Sequence, residues 1–261
     1  MRSSPVFDED EGKRTDASSP AVETWKHHQS NINKEWGDLV LLYCYLITGL
    51  LDSAATHIWG SFVSMQTGNT VYVGLGLAAP NADNRWIRAL VSLAAFCVGS
   101  YFFSRFHRHL SPRRRWVLIA SFIIQLLFLV LAAIIVTVGK NAASSDLHWQ
   151  VLVPLAAVAF QSSGQAVMSR VLQYGGLTSV VLTSNYCDLF SDAHLFALKN
   201  VERNRRAAAP LLLLAGAVAG GVWARSSIGM KGALWTAVFM KSLIVVAWEV
   251  WWKEPEPRAE E

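Results

Sequence analysis

The sequence predicts an all-α, polytopic helical membrane protein: six crossings, two short re-entrant or half-length helices, and an inverted internal repeat. Three observations carry this. Hydrophobic residues make up 52% of the 261 residues and charged residues only 16%, against about 25% charged in an ordinary soluble domain. The charges are unevenly placed, with 12 in residues 1–36, 6 in residues 253–261 and 24 in the 216 residues between. Finally, six mainly apolar runs of roughly 20 residues follow one another, each long enough to cross a hydrocarbon core as a helix. Only helices and closed barrels satisfy their backbone polar groups there. This balance excludes a typical soluble enzyme, a disordered chain and a nucleic-acid binder. The net charge of +4 divides into −2 at each end and +8 in the middle. The basic residues of the middle are bunched between apolar runs, as in polytopic membrane proteins.

Residues 1–36 are polar, with an Asp8-Glu9-Asp10-Glu11 run and no apolar core. They read as a flexible cytoplasmic tail and not as a secretory signal. Residues 253–261, with Pro255 and Pro257, read the same way. Between them lies an integral membrane domain, 37–252, with its clearest run at 116–138. The other long runs are 39–58, 86–106, 151–171, 207–224 and 233–252. Two shorter stretches, 65–79 and 178–189, contain Thr67-Gly68-Asn69-Thr70 and Thr183-Ser184-Asn185 and are weak as full crossings. Trp36, Trp86, Trp116, Trp149, Trp251 and Trp252 fall near run ends, as interfacial anchors do.

Lys and Arg are retained on the cytoplasmic side. One loop holds Arg105, Arg108, Arg113, Arg114 and Arg115. A second holds Lys199, Arg203, Arg205 and Arg206. If all eight stretches cross, the second loop falls outside. If the two short stretches dip in and return, both basic loops and both tails lie inside. Six crossings is therefore the reading, with eight as the alternative.

A shift of 116 residues aligns two halves, about 38–139 and 150–252. Thr67 falls on Thr183, Asn69 on Asn185 and Gln125 on Lys241, and Gly99 falls one position from Gly216. Identity is low, but the order long, short, long, long is kept. A duplicated unit with three crossings must invert its copy. Inverted repeats with broken helices near the midplane are a common transporter design.

Few residues can carry chemistry. Asp52 lies inside the first run and Lys241 midway along the last. Each costs roughly 2.5–3.5 kcal/mol on insertion scales, so each needs a cavity or a partner, and an Asp52–Lys241 pair is one arrangement. In Thr67-Gly68-Asn69-Thr70 the polar residues can cap a helix that starts just after them. That helix would aim free N–H groups into the membrane core. Thr183 and Asn185 can do the same from the other half. Gln66, Gln125, Gln161 and Gln165 place amides within or beside apolar runs, where they line a polar path or bond between helices. Gly216 and Gly220 form a GxxxG spacing, read as close helix packing within or between chains. Asp188 and Asp192 flank the second short stretch and can serve a cation. Cys44, Cys97 and Cys187 are far apart and read as small buried hydrophobes. There is no HExxH pattern, phosphate loop or GxSxG elbow, so no enzyme, metal or cofactor is expected.

Gly49-Leu50-Leu51-Asp52 followed by Thr67-Gly68-Asn69-Thr70-Val71 resembles the first signature of the YoaK family, polytopic membrane proteins carried as a domain of unknown function. Phe160-Gln161 and Thr178-Ser179 through Thr183 resemble the second. The family's Gly-x-Gln spacing is replaced by Phe160 before Gln161, and Ser184 stands where Gly is usual. The resemblance covers roughly 38–252 and implies a multi-spanning protein of about this size, without a substrate.

The expected function is a small secondary transporter or permease for a polar solute. Its site would draw on Asp52, Thr67, Gly68, Asn69, Thr70, Gln161, Gln165, Thr183, Asn185 and Lys241. The alternative is a non-transporting membrane scaffold or assembly factor. An intramembrane lipid enzyme is a distant third. Expected partners are the lipid bilayer, the solute and a second copy of the chain, with no nucleic acid; sequence does not say which membrane.

Overall fold

The computed structural model describes residues 28–33, 36–111, 113–139 and 147–251. The expected tails, apart from 28–33 and Trp36, lie outside the described residues, as does Trp252. Eight helices are described: α1 Gly37–Ile58, α2 Gln66–Ala78, α3 Arg85–His109, α4 Arg115–Val138, α5 Trp149–Val171, α6 Thr183–Phe190, α7 Val201–Arg225 and α8 Met230–Val250. All but α2 and α6 are long and apolar enough to cross a membrane, which makes six candidate spans. The 13 residues of α2 and the 8 of α6 give about 20 Å and 12 Å at 1.5 Å per residue, short of a 30 Å core. The chain has the helices of an integral multi-pass membrane protein.

Most helix bounds fall within three residues of the apolar runs. The exceptions are α6, which starts five residues into the 178–189 stretch, and α7, which starts six residues before its apolar run. The Asn200 side chain accepts from the Arg203 N–H and caps it, so the charged turn through Arg206 is helical as well. A second difference concerns the Thr/Asn elements. The break precedes them, at 59–65 and 172–182, and Thr67–Thr70 and Thr183–Asn185 lie in the first turns of α2 and α6. The cap reading of these residues is corrected accordingly.

Contacts fix the direction of each helix. Arg205 near the start of α7 pairs with Asp38 at the start of α1 at 2.7 Å, and its guanidinium lies over Tyr174, just past α5. Arg115 at the start of α4 donates to the carbonyls of Trp248, Glu249 and Trp251 at the end of α8. His107 near the end of α3 meets Ser121 of α4 at 3.1 Å. The starts of α1, α4 and α7 and the ends of α3, α5 and α8 therefore share one end, the basic end. At the opposite end, Trp235 of α8 donates to Thr137 of α4. Residues 28–33, expected within the tail, dock at the basic end. Ile32 is buried, and its N–H bonds the Arg113 carbonyl at 3.0 Å.

Glycine sets the two closest crossings. A Cβ on Gly49 of α1 would lie 2.0 Å from the Leu213 carbonyl oxygen of α7; one on Gly216 would lie 2.0 Å from that of Leu46, and one on Gly220 2.2 Å from that of Leu50. The GxxxG spacing thus serves packing within the chain, with α1 and α7 parallel. The counterpart is α3 on α5, where a Cβ on Gly99 would lie 2.7 Å from the Phe160 carbonyl oxygen and one on Gly164 would meet the Phe103 ring. Burial singles out α1 and α5, whose apolar windows are 72% and 78% buried against 22–39% for the other spans. They are the inner helices, and among the described residues they carry eight of the 20 buried polar or charged side chains. Cys44 is buried, but Cys97 and Cys187 are exposed. They lie on outer helix faces, which an apolar sequence context cannot tell from inner ones.

Candidate functional site

Asp52 sits six residues before the end of α1, and the chain turns back to meet it. Its Oδ1 accepts the backbone N–H groups of Val63 (2.8 Å) and Ser64 (2.9 Å). Its Oδ2 accepts the Ser64 hydroxyl. The carboxylate thus sits on the backbone just ahead of α2, where a helix N-terminus favours negative charge. Asn69 secures the same segment. Its Oδ1 accepts from Ser61 Oγ (2.9 Å) and the Phe62 N–H (3.1 Å), and its Nδ2 donates to the Phe62 carbonyl (2.8 Å), Gln66 Oε1 (2.9 Å) and Ser92 Oγ of α3 (3.2 Å).

A second cluster joins α1, α5 and α8. Lys241 is fully buried, and its Nζ donates to Gln161 Oε1 at 2.7 Å and Gln165 Oε1 at 3.0 Å. It also stands 5.6 Å from the centre of the Phe122 ring, in cation–π range. The Gln165 amide donates to the Cys44 carbonyl (2.9 Å), Thr48 Oγ1 (2.8 Å) and Ser179 Oγ (3.1 Å). Ser179 is buried on the segment ahead of α6, with a left-handed φ of 57°. Such a φ is uncommon outside glycine. The Tyr45 hydroxyl lies against the Asn185 side chain and the Ser179 backbone, within hydrogen-bonding reach of both.

The expected Asp52–Lys241 pair is not formed: no ion pair links them, and each is held by neutral groups. Thr48 and Asp52 are four residues apart on α1, so the clusters are stacked about 6 Å apart along the axis. Of the residues expected at one site, Asp52 and Asn69 share the first cluster, and Gln161, Gln165 and Lys241 share the second, with Asn185 at its edge. Gly68 packs beside the Phe62 ring. Thr67, Thr70 and Thr183 are exposed, and the Thr70 hydroxyl bonds the Gln66 carbonyl of its own helix. Sequence reasoning missed Ser64, Ser92, Thr48, Tyr45 and Ser179. Single hydroxyls in apolar helices have no pattern that separates packing from a network.

A cleft of about 580 Å³ opens beside the first cluster, lined by Asp52, Ser53, Thr56, His57, Phe62 and Met65, by Arg85 and Arg225, and by the α7 face at Leu213, Ala217 and Gly221. Its two arginines lie at the end opposite the basic loops. The sequence pattern does not single them out.

Outside the spans, the backbone N–H of His194 holds the Asp192 carboxyl below the usual carboxylate range, helped by the Asn200 amide and Arg206. Asp192 also accepts from Arg206 at 3.5 Å, so it is engaged at the start of α7. Among the described residues, no group of three His, Cys, Asp or Glu side chains could hold a metal ion.

No curated protein and no solved structure matches the chain. A family model described as "Protein of unknown function (DUF1275)" does match, over residues 40–247. That match takes in both polar clusters and all six candidate spans apart from a few terminal residues, and the chain belongs to this family, the one its 49–71 stretch resembles.

Proposed function

We propose that this protein is a small secondary transporter for a polar solute, built from two inverted halves. The observation that carries the reading is the separate burial of Asp52 and Lys241 within the bundle, each gripping, directly or through Gln165, the segment ahead of a short helix. Two buried ionisable groups that do not neutralise each other are costly in lipid. Their retention is the mark of a solute or proton path.

The repeat supports this. Corresponding helices start 112, 117, 116 and 115 positions apart: Gly37 and Trp149, Gln66 and Thr183, Arg85 and Val201, Arg115 and Met230. Exchanging the halves turns the α1–α7 crossing into the α5–α3 crossing, which are the two crossings set by glycine. In this reading α2 and α6 are re-entrant. The start of α2 lies by Asp52 and its chain goes on to Arg85 at the opposite end. The start of α6 lies by Tyr45, and beyond its end Asp192 meets Arg206 at the basic end. Half-helices whose N-termini meet near the midplane from opposite sides are a transporter feature. Rocking of one half against the other would expose Asp52 to each side in turn, and its carboxylate would carry the coupling proton.

The test is uptake into vesicles bearing the purified protein. Asp52→Asn keeps the two backbone hydrogen bonds, so it should reach the membrane intact and lose uptake. Uptake equal to wild type would remove Asp52 from the mechanism. Removing residues 1–27 separates the scaffold alternative: a transporter keeps its uptake, whereas a scaffold loses its partners.

A further inference from the structure

We infer that the solute carries an oxyanion group, a carboxylate or a phosphate, which enters between Arg85 and Arg225 and is held deeper by Lys241. This rests on the transporter reading and names its substrate class. Three observations converge on it.

The first is the cleft. Arg85 and Arg225 line the same 580 Å³ space, a size suited to a small solute. Arg85 leans on the Tyr72 ring at 5.1 Å, and Arg225 reaches only the Gly221 carbonyl of its own helix at 3.4 Å. Neither guanidinium has a carboxylate partner among the described residues, unlike Arg205 and Arg206 at the other end. Arginine presents a planar fork of donors suited to carboxylate and phosphate. Thr56, also on the cleft wall, has a buried hydroxyl oxygen without a partner.

The second is the inner cluster. Lys241 Nζ has three protons, and two go to Gln161 and Gln165. The Tyr45 hydroxyl and the Asn185 amide are buried beside this network, with residue exposures of 0% and 2%, and lie against each other. They join Lys241 through Ser179 and Gln165. A buried donor without an acceptor is costly, and an oxyanion would take the third proton of Lys241.

The third is the contrast between the halves. Ahead of α2, the Asp52 carboxylate takes the N–H groups of Val63 and Ser64. At the same depth of the repeat ahead of α6 there is no carboxylate: Gln165 reaches Ser179 instead, and a lysine stands behind it. Asp52 is the fixed anion of one half, and the solute supplies the anion of the other.

The experiment uses the full chain in vesicles of phosphatidylcholine, a lipid without net charge, and four labelled probes: succinate, inorganic phosphate, glycerol and choline. Succinate or phosphate should enter at least tenfold faster than glycerol and choline. Arg85→Gln and Arg225→Gln should each raise the half-saturating anion concentration about tenfold and leave the maximal rate nearly unchanged. Lys241→Met should abolish anion uptake. The ratio of succinate to phosphate uptake assigns the anion as carboxylate or phosphate. Entry of glycerol or choline at the anion rate would overturn this inference and leave the transporter reading standing. So would unchanged half-saturation in both arginine variants. Uptake of none of the four would count against both readings. Arginine variants that matter only when phosphatidylglycerol is added would assign the pair to lipid headgroups and also overturn the inference.

Discussion

Gln165 of α5 donates to Thr48 Oγ1 of α1 across 2.8 Å while accepting from Lys241 Nζ of α8 at 3.0 Å. One amide thus ties the two inner helices to the buried lysine. Its oxygen faces the cation and its nitrogen faces the hydroxyls, so the amide orientation is set by its neighbours. The glutamine side of the network is saturated, while Lys241 keeps a third proton beyond its two amide contacts and lies beside the Phe122 ring.

Lys241→Met separates the cost of that charge from its use. Relieving a buried cation favours the fold by roughly 2.5–3.5 kcal/mol on insertion scales. Stranding two glutamine oxygens opposes it by about 1–3 kcal/mol each. The two nearly offset, so thermal unfolding in detergent should shift by no more than a few degrees. Uptake should fall at least tenfold. A collapse of stability with the substitution would mean that the lysine is structural.

Asp52 should respond differently to two replacements. Asparagine can still accept the Val63 and Ser64 N–H groups through Oδ1, and its amide can donate to the Ser64 hydroxyl. Alanine strands three donors, at about 1–3 kcal/mol per buried group. The alanine variant should therefore unfold at clearly lower temperature than the asparagine variant. Equal melting of the two would show that the segment ahead of α2 is held by Asn69 alone.

The glycine crossings should be intolerant. Gly49→Ala or Gly216→Ala drives a Cβ to 2.0 Å from a backbone carbonyl oxygen, and the helices must part, at a cost of about 1–3 kcal/mol. Gly74 of α2 has nothing within 4 Å of an added Cβ. There alanine should leave stability unchanged or raise it by up to about 1 kcal/mol. Thermal unfolding of the three variants decides the point.

The loop before α7 should keep its order down to acidic pH. The Asp192 carboxyl is held below its ordinary range, chiefly by the His194 N–H. A depressed carboxylate stabilises the fold above its unfolded pKa and loses that contribution as pH falls through the folded value. Hydrogen exchange of the His194 amide should therefore remain slow through neutral and mildly acidic pH. Asp192→Asn should speed it several-fold at pH 7, and unchanged exchange would show that the carboxylate charge does not order the loop.

The sequence made the six spans legible because hydropathy is a local quantity: 18-residue windows of high mean hydropathy mark each helix wherever it packs. It also made Asp52, Asn69, Lys241 and the glutamines legible, since a polar side chain in an apolar run is costly in any fold. Which groups meet was not legible. Thr67 and Thr183 were grouped with Asn69 and Asn185, and the threonines turn outward while the asparagines turn inward. A helix sends successive residues about 100° apart, and only the packing decides which of them faces the interior.

Taken alone, the chain of residues determined that this protein has the helices of a multi-pass membrane protein, which stretches are long and apolar enough to cross, and which few hydrophilic groups lie within them. Tertiary structure decided that Asp52 holds the start of α2, that Lys241 is met by two amides instead of by Asp52, and that Arg85 and Arg225, 140 positions apart in the chain, line one cleft. The physical reason is that burial depends on the composition of a segment, whereas partnership depends on where the glycine crossings bring the helices together.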